Sequence, residues 1–517
     1  MNINNKYKDG LVLLFFSIAG FLIYSGNITD YYLCDDFGAL ILTKKYMFYS
    51  GEGTFRPFNT FIFYLCELIA YEAPWFHHIL NILVHILNAY LVFKIAEYLF
   101  KFHKKFNENS DTPDFIPVFA GLLFLISPVH TEAVVWISGI YAASAAFFIL
   151  LSFLFYLKFY DKQKKIFLFY SLTSYSLSLL TYESGMILPL LILIFELFYC
   201  TKAFHKINFK NISLFFLILT GYIIVRILYI GELFGGNFTS KIQSNFMFSV
   251  LIENLAYYTY RLFCFPTYNN YLVLLMILLV IAAVICFFII SFTKQKIKLL
   301  TLSLFVLLSS YLLIIPVIPL EICYTNFQGG RLIYLPFAFI SIFIIIVLSG
   351  IFKRLISFAI LILFFCINIF YVFQENRNWN KASVISENIV NEINKIDSCE
   401  NLIIINLPDN LNGAYMFRDN TFERVIKFKK YYKKFAVSEL IITHDIKDEN
   451  DSVDVKFNIN NGPIDVSGLT LPFYILENNS SIYKIDKIIG NRISIIIKNK
   501  NQKTTILYYS KGHLVYL

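Results

Sequence analysis

Charge is scarce in this 517-residue sequence. Only 15% of its residues are Asp, Glu, Lys or Arg, where a water-soluble domain carries roughly 25%. Glycine and proline are thin as well, at 21 and 13 residues. That excludes collagen-like repeats and argues against a disordered chain. The eight cysteines form no C-x-x-C pair and no cluster spaced with histidine, so no zinc site is indicated. Cys34, Cys66, Cys264, Cys323 and Cys399 are expected to face the exterior, but an odd number there gives no disulfide framework. There is no P-loop, no G-x-G-x-x-G, no heptad array and no internal repeat. The usual signatures of nucleotide binding and coiled coils are therefore missing.

Apolar surface is what the chain has in excess. Hydrophobic residues reach 57% and aromatic residues 18%, with 56 Phe and 36 Tyr. Mean hydropathy is +0.62. A water-soluble globule cannot hide that much apolar surface, so the bilayer must solvate much of the chain. Eleven runs read as membrane helices. They lie near 10–26, 76–100, 115–129, 138–160, 166–181, 185–200, 211–230, 271–293, 299–317, 332–350 and 355–373. Residues 55–71 are also apolar, but Arg56, Pro57, Glu67 and Glu72 frame them, and they read as an interfacial helix. Residues 11–24 lack a small-residue cleavage pattern after them and read as an uncleaved first helix.

Basic connections orient the spans. Lys101, Lys104 and Lys105 form one cluster, and Lys162, Lys164 and Lys165 another. Lys202, Lys206 and Lys210, then Lys294, Lys296 and Lys298, then Lys353 and Arg354 follow. With eleven spans and the N-terminus inside, all five fall on one side, which is the cytoplasmic side. Trp75, Trp136 and Trp379 fall at the opposite interface. The net charge of +9 is then largely cytoplasmic anchoring, with no nucleic-acid partner required. After Phe373 charges return and short β-branched stretches recur, at 402–406, 436–443, 453–459, 492–497 and 504–509, with turns at Asn461-Gly462-Pro463 and Gly490-Asn491. The expected fold is an α-helical polytopic membrane protein with about 11 transmembrane helices and a small β-rich C-terminal exterior domain. The expected division is a transmembrane domain over 1–375 with a first exterior loop at 27–75, a linker helix over 376–399, and the exterior domain over 400–517.

Candidate chemistry concentrates on the exterior side. The first loop carries Asp35 and Asp36, which can take a proton from a hydroxyl nucleophile or bind a divalent cation; the plain alternative is an acidic, hydrated loop. Arg56 can contact a phosphate, or snorkel to ordinary lipid headgroups. His78, Asn81, His85 and Asn88 share one face of the second helix. Asn81, His85 and Asn88 read best as interhelical hydrogen-bond glue, and His78, at the exterior end, as a site candidate. His130 and Glu132 can flank one cavity from the loop after the third helix. Glu183 adds another exterior carboxylate. Arg226 sits inside the exterior end of the seventh helix and needs an anionic partner, and Arg261 and Arg331 add exterior cations. A substrate with a lipid tail, a phosphate and a polar head matches this set.

These residues also carry a family resemblance. The pieces are Asp35-Asp36, the run from Phe55-Arg56-Pro57-Phe58 through Phe76-His77-His78 to Asn88, Pro128-Val129-His130-Thr131-Glu132 to Trp136, and Tyr182-Glu183-Ser184-Gly185 to Pro189. A weaker one is Arg331-Leu332-Ile333-Tyr334-Leu335-Pro336. Together they span roughly residues 10–380. The chain resembles the GT-C superfamily of integral-membrane glycosyltransferases, most closely the protein O-mannosyltransferase branch and its TPR-bearing eukaryotic relatives. The resemblance implies a GT-C-like fold, a polyprenyl-phosphate-linked sugar donor, a protein or glycan acceptor, membrane lipid around the spans, and an exterior active site. It implies that Asp35 or Asp36 is the catalytic base. His130 and Glu132 would line the substrate pocket, and Arg331 would be the cation near the donor phosphate, with Tyr334 in the same segment also assigned to substrate. Glu183 matches the acidic member of the family's Lys-Glu pair, but the Lys position is Tyr182. No helical TPR periodicity follows Phe373. The segment from Asn406-Leu407-Pro408-Asp409-Asn410 to Tyr415 is distinctive and has no assigned role.

The expected function is sugar transfer from the lipid-linked donor to an acceptor hydroxyl. A divalent cation at Asp35 and Asp36 is the one cofactor that the sequence suggests. The rival is a transporter or flippase for a lipid-linked sugar, which predicts repeated halves that are not found. A third reading is a non-catalytic scaffold presenting the β-rich tail. The expected location is a bacterial or archaeal cell membrane, with the N-terminus cytoplasmic and the C-terminal domain exterior.

Overall fold

The computed structural model describes residues 3–517 except 45, 49–53, 106–114, 204–207, 232–247, 294–296, 353 and short stretches near the C-terminus (449–450, 452–453, 458–462, 468, 470–472, 478–479, 481, 491 and 499–503). Lys206, Lys294, Lys296 and Lys353 of the basic connections, with Val453, Asn461, Gly462 and Asn491, lie outside the described residues.

Every one of the eleven apolar runs forms a helix. The helices begin with α1 (Ile3–Tyr24), α2 (Asp36–Thr43), α3 (Pro57–Ala70), α4 (Trp75–Lys105), α5 (Ile116–Ile126) and α6 (Thr131–Val135). They continue with α7 (Ile140–Lys162), α8 (Lys165–Thr181), α9 (Leu188–Ala203), α10 (Phe209–Ile230) and α11 (Phe248–Phe263). The remainder are α12 (Asn270–Thr293), α13 (Ile297–Ile314), α14 (Gly330–Ile351), α15 (Arg354–Lys395) and α16 (Thr421–Phe428). Among the described residues seven helices are long and apolar enough to cross a membrane, or up to eight if one bent pair counts as a span. The molecule is thus a polytopic helical membrane protein. The difference from eleven has two causes. Pro128 splits the third run, bending its halves by 50°, because the residue before proline is pushed out of the helical region: Ser127 has ψ 128°. The runs at α8 and α9 are short, at 17 and 16 residues, the apolar part of α13, Leu299–Ile314, is likewise too short, and α8 is rich in serine. Its Ser171 exchanges hydrogen bonds with Ser152 of α7, each hydroxyl donating to the other residue's carbonyl at 2.8 and 2.7 Å. Small residues let the two backbones approach that closely.

The chain divides into two compact units. The first comprises Met1–Gly26, Met47–Leu65 and Phe76–Glu375. It holds the apolar helices, with α14 the most deeply enclosed: 83% of its apolar window is buried within the protein.

The second unit comprises Asn27–Tyr46, Cys66–Trp75 and Asn376–Leu517. Its strands are β1 (Cys399–Leu411), β2 (Ala414–Tyr415), β3 (Phe435–Ile446), β4 (Asp454–Phe457), β5 (Ile464–Ser467), β6 (Phe473–Ile475), β7 (Tyr483–Ile489), β8 (Arg492–Ile497), β9 (Thr504–Ser510) and β10 (His513–Tyr516). One sheet runs β10-β9-β1-β3-β6, with β2 folded back on β1. β1 is parallel to both β3 and β9, and α16 makes the crossover from β1 to β3. A parallel central strand is covered on both faces, which explains the unbroken buried run Leu402–Ile405. The second sheet, β4-β5-β8-β7, is antiparallel. Ile403, Ile405, Ile441, Ile442, Val466, Ile493 and Ile495 form the shared core.

Candidate active site

In the first unit the broken span shapes the first cluster. After Pro128 the chain forms a short 3-10 turn and then α6, which carries Glu132. Gly330 opens α14 directly against this turn. A Cβ at Gly330 would lie 2.4 Å from the Val129 carbonyl oxygen, closer than any side chain tolerates. A Cβ at Gly139 would lie 2.5 Å from the Glu132 carbonyl oxygen. These two glycines allow Arg331 to ion-pair with the buried Glu132 carboxylate. The Arg331 guanidinium also sits 5.1 Å from the centre of the Trp136 ring. The second carboxylate oxygen of Glu132, Oε2, has no hydrogen-bond partner among the described residues.

A second cluster joins Arg56, Glu183 and Arg226. Arg56 donates from Nε to Glu183 Oε2 at 2.9 Å, with Nη2 2.8 Å from the same oxygen. Arg226 Nη2 lies 3.8 Å from Oε1. Arg226 has thus found the anionic partner that its position demanded. Burial pushes the Glu183 carboxyl up, but Arg56, and then Arg226, outweigh it, and the net shift is downward. Two guanidiniums on one carboxylate leave an excess of positive charge. Arg56 also stacks over the Tyr182 ring at 4.3 Å. The residue before Glu183 is aromatic, yet a cation still stands beside the carboxylate.

Arg261, on α11, is the largest fully buried side chain. Its Nη1 donates to the Cys323 carbonyl at 2.8 Å and also to that of Asn326. The Phe327 ring lies 5.0 Å away. Nε and Nη2 have no acceptor among the described residues. Burial pushes this guanidinium down to about 10, as expected of a cation short of counter-charge.

The polar stripe of α4 goes to the interior. Asn81 donates to the Trp136 carbonyl at 2.9 Å. His85 Nε2 is 3.0 Å from the Leu125 carbonyl, and its Nδ1 is 2.7 Å from the Tyr334 hydroxyl. The carbonyl can only accept, so Nε2 carries the proton and Nδ1 accepts from Tyr334 (a tautomer assigned from the bonding pattern). Asn88 Nδ2 donates to Tyr334 at 3.0 Å and to the Ala143 carbonyl at 2.8 Å. Tyr334, drawn from the same segment as Arg331, therefore belongs to this buried chain. His130 packs 4.5 Å from the Tyr334 ring and 4.2 Å from Phe124. Both its ring nitrogens lack hydrogen-bond partners among the described residues. His78 is buried at the start of the same α4 face.

Asp35 and Asp36 belong to the second unit. Asp36 opens α2 and is buried, and its Oδ2 accepts from the Leu33 amide at 2.9 Å. Asp35 Oδ1 accepts from Arg424 Nη1 at 2.5 Å. Among the described residues no group of three or more His, Cys, Asp or Glu converges as a metal site. Arg424 has no signal in the sequence, because 389 residues separate it from Asp35.

No protein-family model matches the chain. The protein O-mannosyl-transferase tmtc2 of Xenopus laevis is 29% identical over 202 residues, covering 35% of this chain and 21% of the relative. The human protein O-mannosyl-transferase TMTC2 is 31% identical over 124 residues, 24% of this chain and 13% of the relative. The chain thus spans about a fifth or less of these relatives' length. Among solved structures, the archaeal oligosaccharyltransferase AglB from Archaeoglobus fulgidus, in complex with an inhibitory peptide and a dolichol-phosphate, aligns with a TM-score of 0.45 and 11% identity, covering 94% of this chain and 80% of that one. ArnT from Cupriavidus metallidurans, bound to undecaprenyl phosphate, aligns with a TM-score of 0.43 and 10% identity, covering 82% of this chain and 89% of that one. Over part of its length the chain is thus similar in sequence to protein O-mannosyl-transferases.

Proposed function

We propose that this protein transfers a sugar from a polyprenyl-phosphate-linked donor to an acceptor hydroxyl on the exterior side of the membrane. The acceptor is a protein or a glycan. The observation that carries the reading is Arg261: a fully buried guanidinium with two nitrogens, Nε and Nη2, that no described residue satisfies. A buried cation with unused donors is unfavourable alone and suits a phosphate, which accepts charge-assisted hydrogen bonds. The likeness to O-mannosyl-transferases supports the sugar-transfer part of the reading.

In the proposed reaction the acceptor oxygen attacks the anomeric carbon. A new carbon–oxygen bond forms there as the bond to the phosphate oxygen breaks. The departing phosphate gains negative charge, which Arg261, and Arg331 as a second cation, stabilise. The hydroxyl proton passes to Asp36 as general base. Arg56, Glu183 and Arg226 add the positive field that draws the donor headgroup, and His78, His130 and Glu132 shape the pocket. Asp35, the other acidic residue of the loop, is held by Arg424.

The test is binding of undecaprenyl phosphate to the detergent-purified protein, followed by native mass spectrometry. Arg261→Gln weakens binding about tenfold or more, the worth of a charge-assisted hydrogen bond. Equal affinity in a folded Arg261→Gln protein sinks the assignment.

A further inference from the structure

The distinctive segment around Asn406–Tyr415 and the first exterior loop are far apart in sequence, yet both lie in the second unit. There the loop is held at successive points. Asn27 donates to the Asn376 carbonyl at 2.9 Å, and Asn380 donates to Asp30 at 2.6 Å. The Tyr31 amide donates to the Ser383 hydroxyl at 2.5 Å. The Cys34 amide donates to the Met416 carbonyl at 3.1 Å, while the Met416 amide donates back to the Asp409 carbonyl at 2.8 Å. Cys34 itself takes a φ of 46°, the left-handed region that non-glycine residues seldom enter. A backbone bond on that residue fixes the turn that presents Asp35 and Asp36.

The last of these contacts is the Arg424 ion pair with Asp35. Arg424 lies on α16, the crossover helix between β1 and β3. α16 packs on α2 through aromatic and cationic contacts: the Phe37 and Phe428 rings are 5.9 Å apart, and Lys44 Nζ is 4.2 Å from the Phe428 ring centre. Room for the guanidinium comes from Gly38, where a Cβ would stand 3.2 Å from Arg424 Cδ, Nε and Nη1. Gly38 has no positive φ, so its backbone does not require glycine. A glycine inside a helix is otherwise unfavourable. The side chains of Arg424 and Asp35 are 31% and 53% exposed, and an ion pair that open adds little to stability. Its consequence is local: it offsets one of two adjacent negative charges and fixes the side-chain direction of the residue before Asp36.

We propose that Arg424 is a positioning residue for the Asp35-Asp36 turn, so that the β-rich unit sets the geometry of the catalytic carboxylate. The inference rests on the proposed transferase function and assigns the C-terminal region a part in that same site. Arg424 acts through Asp35 and does not touch substrate. Asp36 takes the proton, and Asp35, neutralised by Arg424, holds the turn.

The test is a comparison in the full-length protein of wild type, Arg424→Gln, Arg424→Lys, Asp35→Asn, and Asp35→Asn with Arg424→Gln, measuring transfer from an undecaprenyl-phosphate sugar. Arg424→Gln lowers kcat about tenfold while KM for the donor stays within about twofold, the pattern of a misplaced reacting group. Arg424→Lys restores most of the rate. In the Asp35→Asn background Arg424→Gln costs nothing further, because the two act as one unit. The melting temperature stays within about 2 °C of wild type, as an exposed pair predicts. Hydrogen exchange supplies a readout independent of activity: amides 33–40 lose protection in Arg424→Gln. A full wild-type rate in Arg424→Gln, a loss additive with that of Asp35→Asn, or unchanged exchange at 33–40 overturns the clamp alone. Absence of transfer by the wild type refutes the proposed function and this inference with it.

Discussion

The chain Asn88–Tyr334–His85–Leu125 allows one perturbation to be worked through in numbers. Tyr334→Phe removes a single oxygen and leaves the ring that packs on His85, Phe124 and His130. Two hydrogen bonds go with it, at 3.0 and 2.7 Å. Asn88 keeps its bond to Ala143 at 2.8 Å. His85 Nδ1 is left without a donor among the described residues while its ring remains fully buried. Interhelical hydrogen bonds in membrane proteins average about 0.6 kcal/mol each, which puts the lower bound near 1 kcal/mol. A buried acceptor left without a donor adds up to about 1–3 kcal/mol. The expected cost is therefore about 1–4 kcal/mol. The assay is equilibrium unfolding of the purified protein in mixed micelles, with Asn88→Ala and the double variant completing a mutant cycle. The cycle predicts coupling of at least about 0.5 kcal/mol between the two sites. A Tyr334→Phe protein within about 0.3 kcal/mol of wild type, with no coupling, refutes the directional chain.

Two further predictions follow from other parts of the molecule. Gly330→Ala forces the start of α14 away from the Val129 carbonyl and with it Arg331 from Glu132; transfer falls about 10- to 100-fold, and a rate within about twofold of wild type contradicts the close approach as the reason for glycine. In the second unit, burial and then the neighbouring Asp409 push Asp445 up to about 7, against about 3.9 in an unfolded chain. The fold thus favours the protonated acid: this contribution to stability is complete below about pH 4 and is lost as pH rises to about 7. Hydrogen exchange of β1 and β3 amides should quicken over that window, and Asp445→Asn should flatten the dependence; an unchanged slope in that variant refutes the assignment.

Local patterns in the sequence carried much of the helical fold. Each apolar run is a helix, because a membrane helix needs only a continuous apolar stretch, and that is a property of neighbours in sequence. The five β-branched stretches at 402–406, 436–443, 453–459, 492–497 and 504–509 fall on β1, β3, β4, β8 and β9. The short strands β2, β5, β6 and β10 and the eight-residue helices α2 and α16 have too few residues for their periodicity to be read, and β7 and α11 likewise have no counterpart among the sequence expectations. The glue reading of Asn81, His85 and Asn88 matches their bonds to Trp136, Tyr334 and Ala143. Membrane burial of an arginine pointed to an anionic partner for Arg226, and Glu183 is there. What the sequence did not disclose is long-range pairing. In the sequence Arg424 looks like any other charge after Phe373, and only the fold brings it to Asp35. Gly38, Gly139 and Gly330 likewise gain meaning only from the atoms that face them. The run from Asn406 to Tyr415 now has a place: Asn406 bridges His444 and the Tyr509 backbone inside the sheet, and Met416 just beyond it anchors Cys34.

Transfer itself is the decisive measurement. Purified protein is given an undecaprenyl-phosphate sugar labelled in the sugar and a hydroxyl acceptor, and the label is followed from lipid to acceptor for wild type and Asp36→Asn. The account predicts transfer by the wild type and a loss of about 10²- to 10⁴-fold in Asp36→Asn, the usual worth of a general base. Transfer at the wild-type rate by Asp36→Asn, or movement of the intact labelled lipid across a bilayer with its glycosidic bond unbroken, contradicts it.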